Sequence, residues 1–170
     1  MGATQSAEKS GRLAHAAPTR GHLALTAENG GLVPWCGPAA LALATGLSYR
    51  AASELLRNTA PGWYPETGPI VTAYWRDLLA ALEQAGVEYA PLAAPEGPES
   101  RLMAFARGLE PGWYLLRVTD HFLLVRSHGF GLAQVYDNRT SGQVLGARTH
   151  GRRKVTHAVQ LLGGPLLMPA

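Results

Sequence analysis

The sequence contains a single cysteine, Cys36, among its 170 residues, so no disulfide can form within the chain. No group of cysteines and histidines has the spacing of a zinc site, and we therefore expect neither a metal nor another cofactor. Only 16% of the residues are charged, and the net charge of +3 comes from scattered basic residues apart from a run at 152–154. Because no basic stripe carries interleaved aromatics, the composition argues against nucleic-acid binding.

Long apolar runs are also missing. No stretch approaches the roughly 20 apolar residues that a membrane-spanning helix needs, and residues 1–20 lack the apolar centre of a secretory signal. We therefore expect no membrane span and a cytoplasmic location. Residues 1–20 are small, polar and without periodicity, which predicts a flexible tail or a processed leader. With 46% hydrophobic residues in the chain, residues 21–170 are expected to form one domain with a substantial core.

The apolar pattern changes along the chain from a helical period to a strand-like one. The pattern predicts a short strand at 22–25 and helices over 37–45, 48–57, 71–84 and 100–106, of which the first is apolar all round and should be buried on every side. It predicts strands over 113–118, 122–126, 133–136 and 155–161. Helices followed by strands predict an α+β fold, with an N-terminal helical half packed on a C-terminal antiparallel sheet.

Cys36 lies where a loop gives way to the first long helix, in the sequence Trp35-Cys36-Gly37-Pro38-Ala39. A helix N-terminus stabilises a thiolate, because its unpaired N–H groups and the helix dipole favour the anion and lower its pKa. Glycine lets another segment approach closely, and proline suits the first helical turn because its missing N–H costs nothing there. A free cysteine is more often a small buried hydrophobe, but these two neighbours favour a nucleophile that faces a ligand.

A histidine and two turn residues lie at the ends of the predicted strands. His121 opens one strand, and Asp137 and Asn138 close the next. If the loop between these strands has an odd length and is centred on Gly129, His121 and Asp137 are direct cross-strand partners on one face. A four-residue loop would instead pair His121 with Asn138. Either side chain can accept a hydrogen bond from the imidazole and direct it toward the thiol, and we predict the odd loop and the aspartate.

These residues, in this order, resemble the papain-like cysteine peptidase superfamily. The block at 36–39, followed by His121 and then by Asp137 sixteen residues later, is most similar to the bacteriocin-processing peptidases of the double-glycine type. The resemblance covers about residues 29–140. It implies a papain-like fold with Cys36 as the nucleophile, His121 as the general base and acid, and Asp137 as the group that orients the histidine.

The resemblance also implies a reaction. It predicts a thiol hydrolase that cleaves an amide bond in a peptide or protein substrate through an acyl-enzyme. The family carries a glutamine, an oxyanion-hole donor, six residues before the cysteine, where this chain has Gly30. Asn29 is the nearest side-chain amide and is our candidate oxyanion donor. An acyl or peptidyl transferase on the same scaffold and a catalytically inactive papain-like binding module are the alternatives, and the oligomeric state stays open.

Overall fold

The computed structural model describes residues 20–163, so the predicted tail lies outside the described residues except for Arg20. The described residues form an α+β fold, with five α-helices packed against one six-stranded antiparallel sheet. The helices are α1 (His22–Glu28), α2 (Cys36–Thr45), α3 (Tyr49–Thr59), α4 (Trp75–Gln84) and α5 (Leu102–Arg107), with a short 3-10 helix at Gly97–Ser100. The strands are β1 (Glu88–Leu92), β2 (Gly112–Val118), β3 (His121–Ser127), β4 (Ala133–Tyr136), β5 (Ser141–Val144) and β6 (Val155–Gly163). Their order across the sheet is β1-β6-β2-β3-β4-β5.

The apolar core lies on both faces of this sheet. Alternate residues of a strand point to opposite faces, so Leu115 and Leu124 pack on one face with residues of α1, α2, α3 and α4. Leu116 and Val125 pack on the other face with residues of α5. The helical layer that contains α2 therefore lies directly against β2 and β3.

Helix α2 is buried along its whole length after its first residue, as its composition predicts. At its second residue, Gly37, an added Cβ would lie 2.4 Å from the Cβ of Ala73 and 3.8 Å from the ring of Phe122. Glycine is therefore required for the close approach of the segment around Ala73. This packing brings the start of α2, and with it Cys36, next to the start of β3.

Two predicted elements differ from the structure near the helical layer. Residues 22–25, predicted as a strand, belong to α1, because four alternating residues do not distinguish a strand from one helical turn and good helix formers follow them. Helix α4 begins at Trp75 rather than at residue 71. Tyr74 stays extended, and its N–H donates to the hydroxyl of Tyr64 rather than to a helical carbonyl.

The four predicted strands are present, but the two outer strands, β1 and β5, were not predicted. Strand β1 contains Pro91, which the sequence pattern treats as a strand breaker and which sheets accept at their edges. Because β1 precedes α5, the sheet is not wholly C-terminal to the helices. Helix α5 begins at Leu102 rather than at residue 100, because Arg101 stays extended and the Ser100 hydroxyl donates to the carbonyl of Gly97 within the 3-10 helix.

The β3–β4 hairpin has an odd loop, as predicted, but its centre is shifted by one residue. Ser127 pairs with Ala133, so five residues, 128–132, form a loop that is centred on Phe130 and not on Gly129. The N–H of residue 128 donates to the carbonyl of residue 132 across 2.8 Å and closes the loop. A loop centred on Phe130 is possible because residues 129–131 at its tip all adopt positive φ.

The predicted cross-strand pairing of His121 with Asp137 is therefore wrong. The β3–β4 ladder ends at the pair Leu124–Tyr136, before it reaches His121. Asp137 directly follows β4 and begins a turn, in which its N–H donates to the carbonyl of Thr140 across 2.9 Å. Any contact between the histidine and the aspartate must come from side chains beyond the end of the ladder.

Candidate active site

The thiol of Cys36 lies at the first residue of α2, where it is partly buried against the core. Three neighbouring groups stabilise its thiolate form: the ring of His121, the N–H of Phe122 and the N–H of Cys36 itself. Burial alone raises the pKa of a thiol, but these donors and the positive charge of the histidine outweigh burial and lower the pKa of Cys36. The site therefore favours a thiolate.

His121 is the first residue of β3 and follows the tight β2–β3 turn, in which Asp120 adopts a φ of 55°. Its Nε2 lies 2.8 Å from Oδ2 of Asp137, and its side chain is only 10% exposed. Because Nε2 faces the carboxylate, Nδ1 is the nitrogen left for the thiol. Burial lowers the pKa of an imidazole, but the hydrogen bonds with Asp137 and Cys36 raise the pKa of His121 to about 9.

The carboxylate of Asp137 is almost fully buried and accepts four hydrogen bonds. Its Oδ1 accepts the backbone N–H groups of Arg139 and Thr140, at 2.8 and 2.9 Å. Its Oδ2 lies 2.8 Å from Nε2 of His121 and 2.8 Å from Nε2 of His150. Although burial raises the pKa of a carboxyl, these donors hold the pKa of Asp137 well below its usual range, so the group is an anion at neutral pH.

Asn138, the alternative partner, points elsewhere. Its Nδ2 donates to the carbonyl of Pro34 across 2.6 Å. On the other side of the same loop, the N–H of Trp35 donates to the hydroxyl of Tyr49 across 3.1 Å. The structure thus places Asp137, and not Asn138, on the ring of His121, while Asn138 fixes the segment that leads into α2.

Asn29, the candidate oxyanion donor, follows the end of α1. Its Nδ2 donates to the carbonyl of Leu32 across 3.0 Å within a local turn. Gly30 has a φ of 67° in this turn. The role of Asn29 at the oxyanion stays a prediction. The N–H of Cys36 is a donor that already faces the reacting sulfur.

His150 is a part of the site that the sequence did not indicate. It lies in the loop between β5 and β6, and its ring stacks on that of His121 with centroids 4.5 Å apart. The pairing of β5 with β4 could have indicated the position of His150, because the loop that carries His150 follows β5. Strand β5 is short and exposed, however, so its sequence pattern predicts neither the strand nor its register.

The two histidines and the aspartate are also a donor set that a metal ion could use. His121, Asp137 and His150 each offer one ligand atom, and these atoms lie within 4.8 Å of one another. Both N···O distances are 2.8 Å, which is the length of a charge-assisted hydrogen bond. The three side chains therefore satisfy one another by hydrogen bonds as they stand.

Comparisons with family models, with curated proteins and with solved structures found no match to this chain. Function must therefore be inferred from the site itself. Within residues 20–163, no helix combines the length and the apolar character that crossing a bilayer requires.

Proposed function

We propose that this protein is a thiol hydrolase of the papain-like type, which cleaves an amide bond in a peptide or protein through Cys36, His121 and Asp137. One observation carries the proposal: a helix-terminal thiol, an imidazole that stabilises its thiolate, and a buried carboxylate 2.8 Å from that imidazole. Each neighbour shifts the pKa of the next group in the direction that nucleophilic catalysis requires.

The steps follow from the positions of the protons. Sγ of Cys36 attacks the carbonyl carbon of the substrate and forms a C–S bond, while His121 holds the proton on Nδ1. His121 donates that proton to the amine as the C–N bond breaks. It then accepts a proton from water, whose oxygen attacks the acyl-enzyme carbonyl carbon. The C–S bond breaks, and the carboxylic acid leaves as the Cys36 thiolate and the protonated His121 are restored.

The oxyanion that forms in each step needs hydrogen-bond donors. The N–H of Cys36 lies at the unpaired N-terminus of α2, where the helix dipole also favours negative charge. We assign it as the first oxyanion donor and keep Asn29 as the candidate second donor. Loss of one such donor typically lowers the rate by about 100- to 1,000-fold, so an Asn29→Ala variant measures the role of that amide.

Exposed aromatic side chains beside the site favour a peptide substrate. Trp35, directly before the nucleophile, is 43% exposed. Trp63 and Tyr74 are also exposed and contact each other edge to face at 5.7 Å. Tyr74 directly follows Ala73, which packs on the start of α2. Such a surface can bind the side chains that flank a scissile bond.

The single cysteine makes a direct test possible. We would measure the rate at which iodoacetamide alkylates Cys36 between about pH 5 and pH 9, against free cysteine as the reference. At about pH 6 we expect alkylation more than about tenfold faster than that of free cysteine, because a lowered pKa increases the thiolate fraction. His121→Gln should remove this advantage. His128→Gln is the matched control, since His128 lies at the hairpin tip and contacts Gln134.

A second measurement addresses turnover. The protein is incubated with a peptide library, and new amino termini are identified by mass spectrometry. We expect cleavage by the wild type and none by Cys36→Ala, with both proteins folded by circular dichroism. Equal cleavage by the two proteins would exclude the thiol mechanism. Fast alkylation without any cleavage would exclude a hydrolase.

A further inference from the structure

We propose that His150 is a positioning residue of this site, which holds the carboxylate of Asp137 and the ring of His121 so that Nδ1 of His121 stays directed at Cys36. The inference deepens the proposed function and rests on it, because the alignment of His121 matters only where the thiol reacts. It is carried by three separate features: the hydrogen bonds of the carboxylate, the contact between the two rings, and the backbone that presents His150.

The first feature is the completeness of the carboxylate's hydrogen bonding. Both oxygens of Asp137 accept two donors each, and His150 supplies one of the two on Oδ2. Without His150, that oxygen would keep only the bond to His121, while the two backbone N–H groups would still hold Oδ1. With His150 in place, one side of Oδ2 is occupied, so Nε2 of His121 is confined to the other side and the direction of its ring is fixed.

The second feature is the contact between the rings. The planes of His121 and His150 are inclined by only 25° with centroids 4.5 Å apart, so His150 covers one face of the catalytic ring. The side chain of His150 is 20% exposed and that of His121 is 10% exposed. His150 is therefore the more exposed of the two rings, and its contact restricts the movement of the His121 ring.

The third feature is the backbone. His150 has a φ of 67°, a conformation that costs energy for any residue with a Cβ. The loop is nevertheless fixed in place, since the carbonyl of His150 accepts the N–H of Arg153 at 2.8 Å. The carbonyl of Gly151 accepts the N–H of Met103 in α5 at 3.0 Å. A non-glycine residue kept in this conformation, with its ring in the site, is expected where the side chain has a task.

Three substitutions separate the two contacts of His150. His150→Gln keeps an N–H donor for Asp137 but loses the ring, His150→Phe keeps a ring but loses the donor, and His150→Ala loses both. The readouts are the alkylation rate of Cys36 by iodoacetamide as a function of pH and the thermal midpoint of unfolding. His128→Gln is again the control histidine outside the site.

We expect the donor to matter more than the ring, because a hydrogen bond to a charged group is the stronger contact. His150→Ala and His150→Phe should lower the alkylation rate at about pH 6 by about tenfold and raise the apparent pKa of Cys36 by about one unit, while His150→Gln stays within about threefold of the wild type. If His150→Ala does not fold, the comparison of His150→Gln with His150→Phe still shows whether the donor or the ring of His150 controls the reactivity of Cys36.

Several outcomes would overturn the inference. Unchanged pH profiles in folded His150→Phe and His150→Gln would do so, as would lower thermal midpoints with an unchanged apparent pKa of Cys36, which indicate a merely structural role. If EDTA slows wild-type alkylation as much as His150→Ala does, His150 acts as a metal ligand instead. Slow alkylation of the wild type itself would contradict the proposed function, whereas fast wild-type alkylation with no effect of His150 contradicts only this inference.

Discussion

Replacement of Asp137 by asparagine would remove one charge at nearly constant shape, and the surrounding donors determine how the amide would lie. Oδ1 accepts two backbone N–H groups, from Arg139 and Thr140. Backbone N–H groups can only donate, so the carbonyl oxygen of the asparagine must take their side. The NH2 group of the asparagine then faces His121 and His150, where the carboxylate oxygen was an acceptor.

This orientation changes the tautomer of His121. An NH2 group does not accept the proton on Nε2, so the neutral ring would carry its proton on Nδ1, the nitrogen that faces Cys36. Such a ring cannot take the thiol proton. In a serine-protease triad the same change of carboxylate to amide lowers kcat by about 10⁴-fold, and we expect a loss of order 10³ to 10⁴ here. Each unit by which the pKa of Cys36 rises also lowers the thiolate fraction at about pH 6 by about tenfold.

The assay is iodoacetamide alkylation of Cys36 from about pH 5 to pH 9, together with peptide turnover. For Asp137→Asn we expect the alkylation that the wild type shows at low pH to disappear. Asn138→Ala is the matched control, because it removes only the hydrogen bond to Pro34 and should lower stability without moving the pH profile. The reasoning is refuted if Asp137→Asn keeps the wild-type profile, or if Asn138→Ala alone shifts it.

The remaining predictions concern packing and proton linkage. Gly37→Ala should lower the free energy of unfolding by about 1–3 kcal/mol in urea titrations because its Cβ meets that of Ala73, and Ala73→Gly should restore it. Tyr49→Phe should cost about 1–2 kcal/mol, since a backbone N–H loses its acceptor. In a Cys36→Ala background, the bond to Asp137 alone favours the protonated ring of His121 and should stabilise the folded state at about pH 5.5. That contribution should disappear as the pH rises through the pKa that His121 has in this variant, which unfolding of Cys36→Ala with and without His121→Gln at about pH 5.5 and pH 9 would measure.

In the wild type, the protonation of His121 should not make the free energy of unfolding depend on pH near neutrality, because Cys36 titrates together with it. When both groups are ionised, Cys36 has lost a proton and His121 has gained one, so the pair binds one proton. Between about pH 6.5 and pH 8.5 the unfolded chain also binds one proton at these groups, on the thiol. Because the folded and unfolded states hold equal numbers of protons, this pair contributes no pH dependence to stability in that window.

Those parts of the fold that local pattern determines could be predicted from the sequence. Helix α2 is apolar on every side, and Ser48 caps α3 by accepting the N–H of Ala51 at 3.1 Å. The apolar runs of β2 and β3 are short and rich in leucine, valine and aromatic residues, which favours buried strands over a helix. The position of Cys36 at the start of α2 follows from the same local signals, namely glycine and proline directly after it.

Contacts that depend on loop geometry could not be predicted in the same way. The odd length of the β3–β4 loop agrees with the prediction, but Phe130 also takes a positive φ, a conformation that the sequence does not indicate for a phenylalanine. That single residue moves the loop centre and removes the pairing of His121 with Asp137. His150 was missed for a related reason, because its place depends on a loop that follows an unpredicted edge strand.

The site tolerates such a shift in register because its residues lie at the ends of elements rather than within the ladder. Cys36 begins a helix, His121 begins a strand and Asp137 follows one. At these ends, backbone N–H groups are free of regular pairing and can hold an anion. The N–H groups of Cys36 and Phe122 stabilise the thiolate. Those of Arg139 and Thr140 donate to the carboxylate of Asp137, so main-chain groups stabilise both anions. His121 is then the cation between two fixed anions, and its orientation is the one variable that side chains such as His150 are left to control.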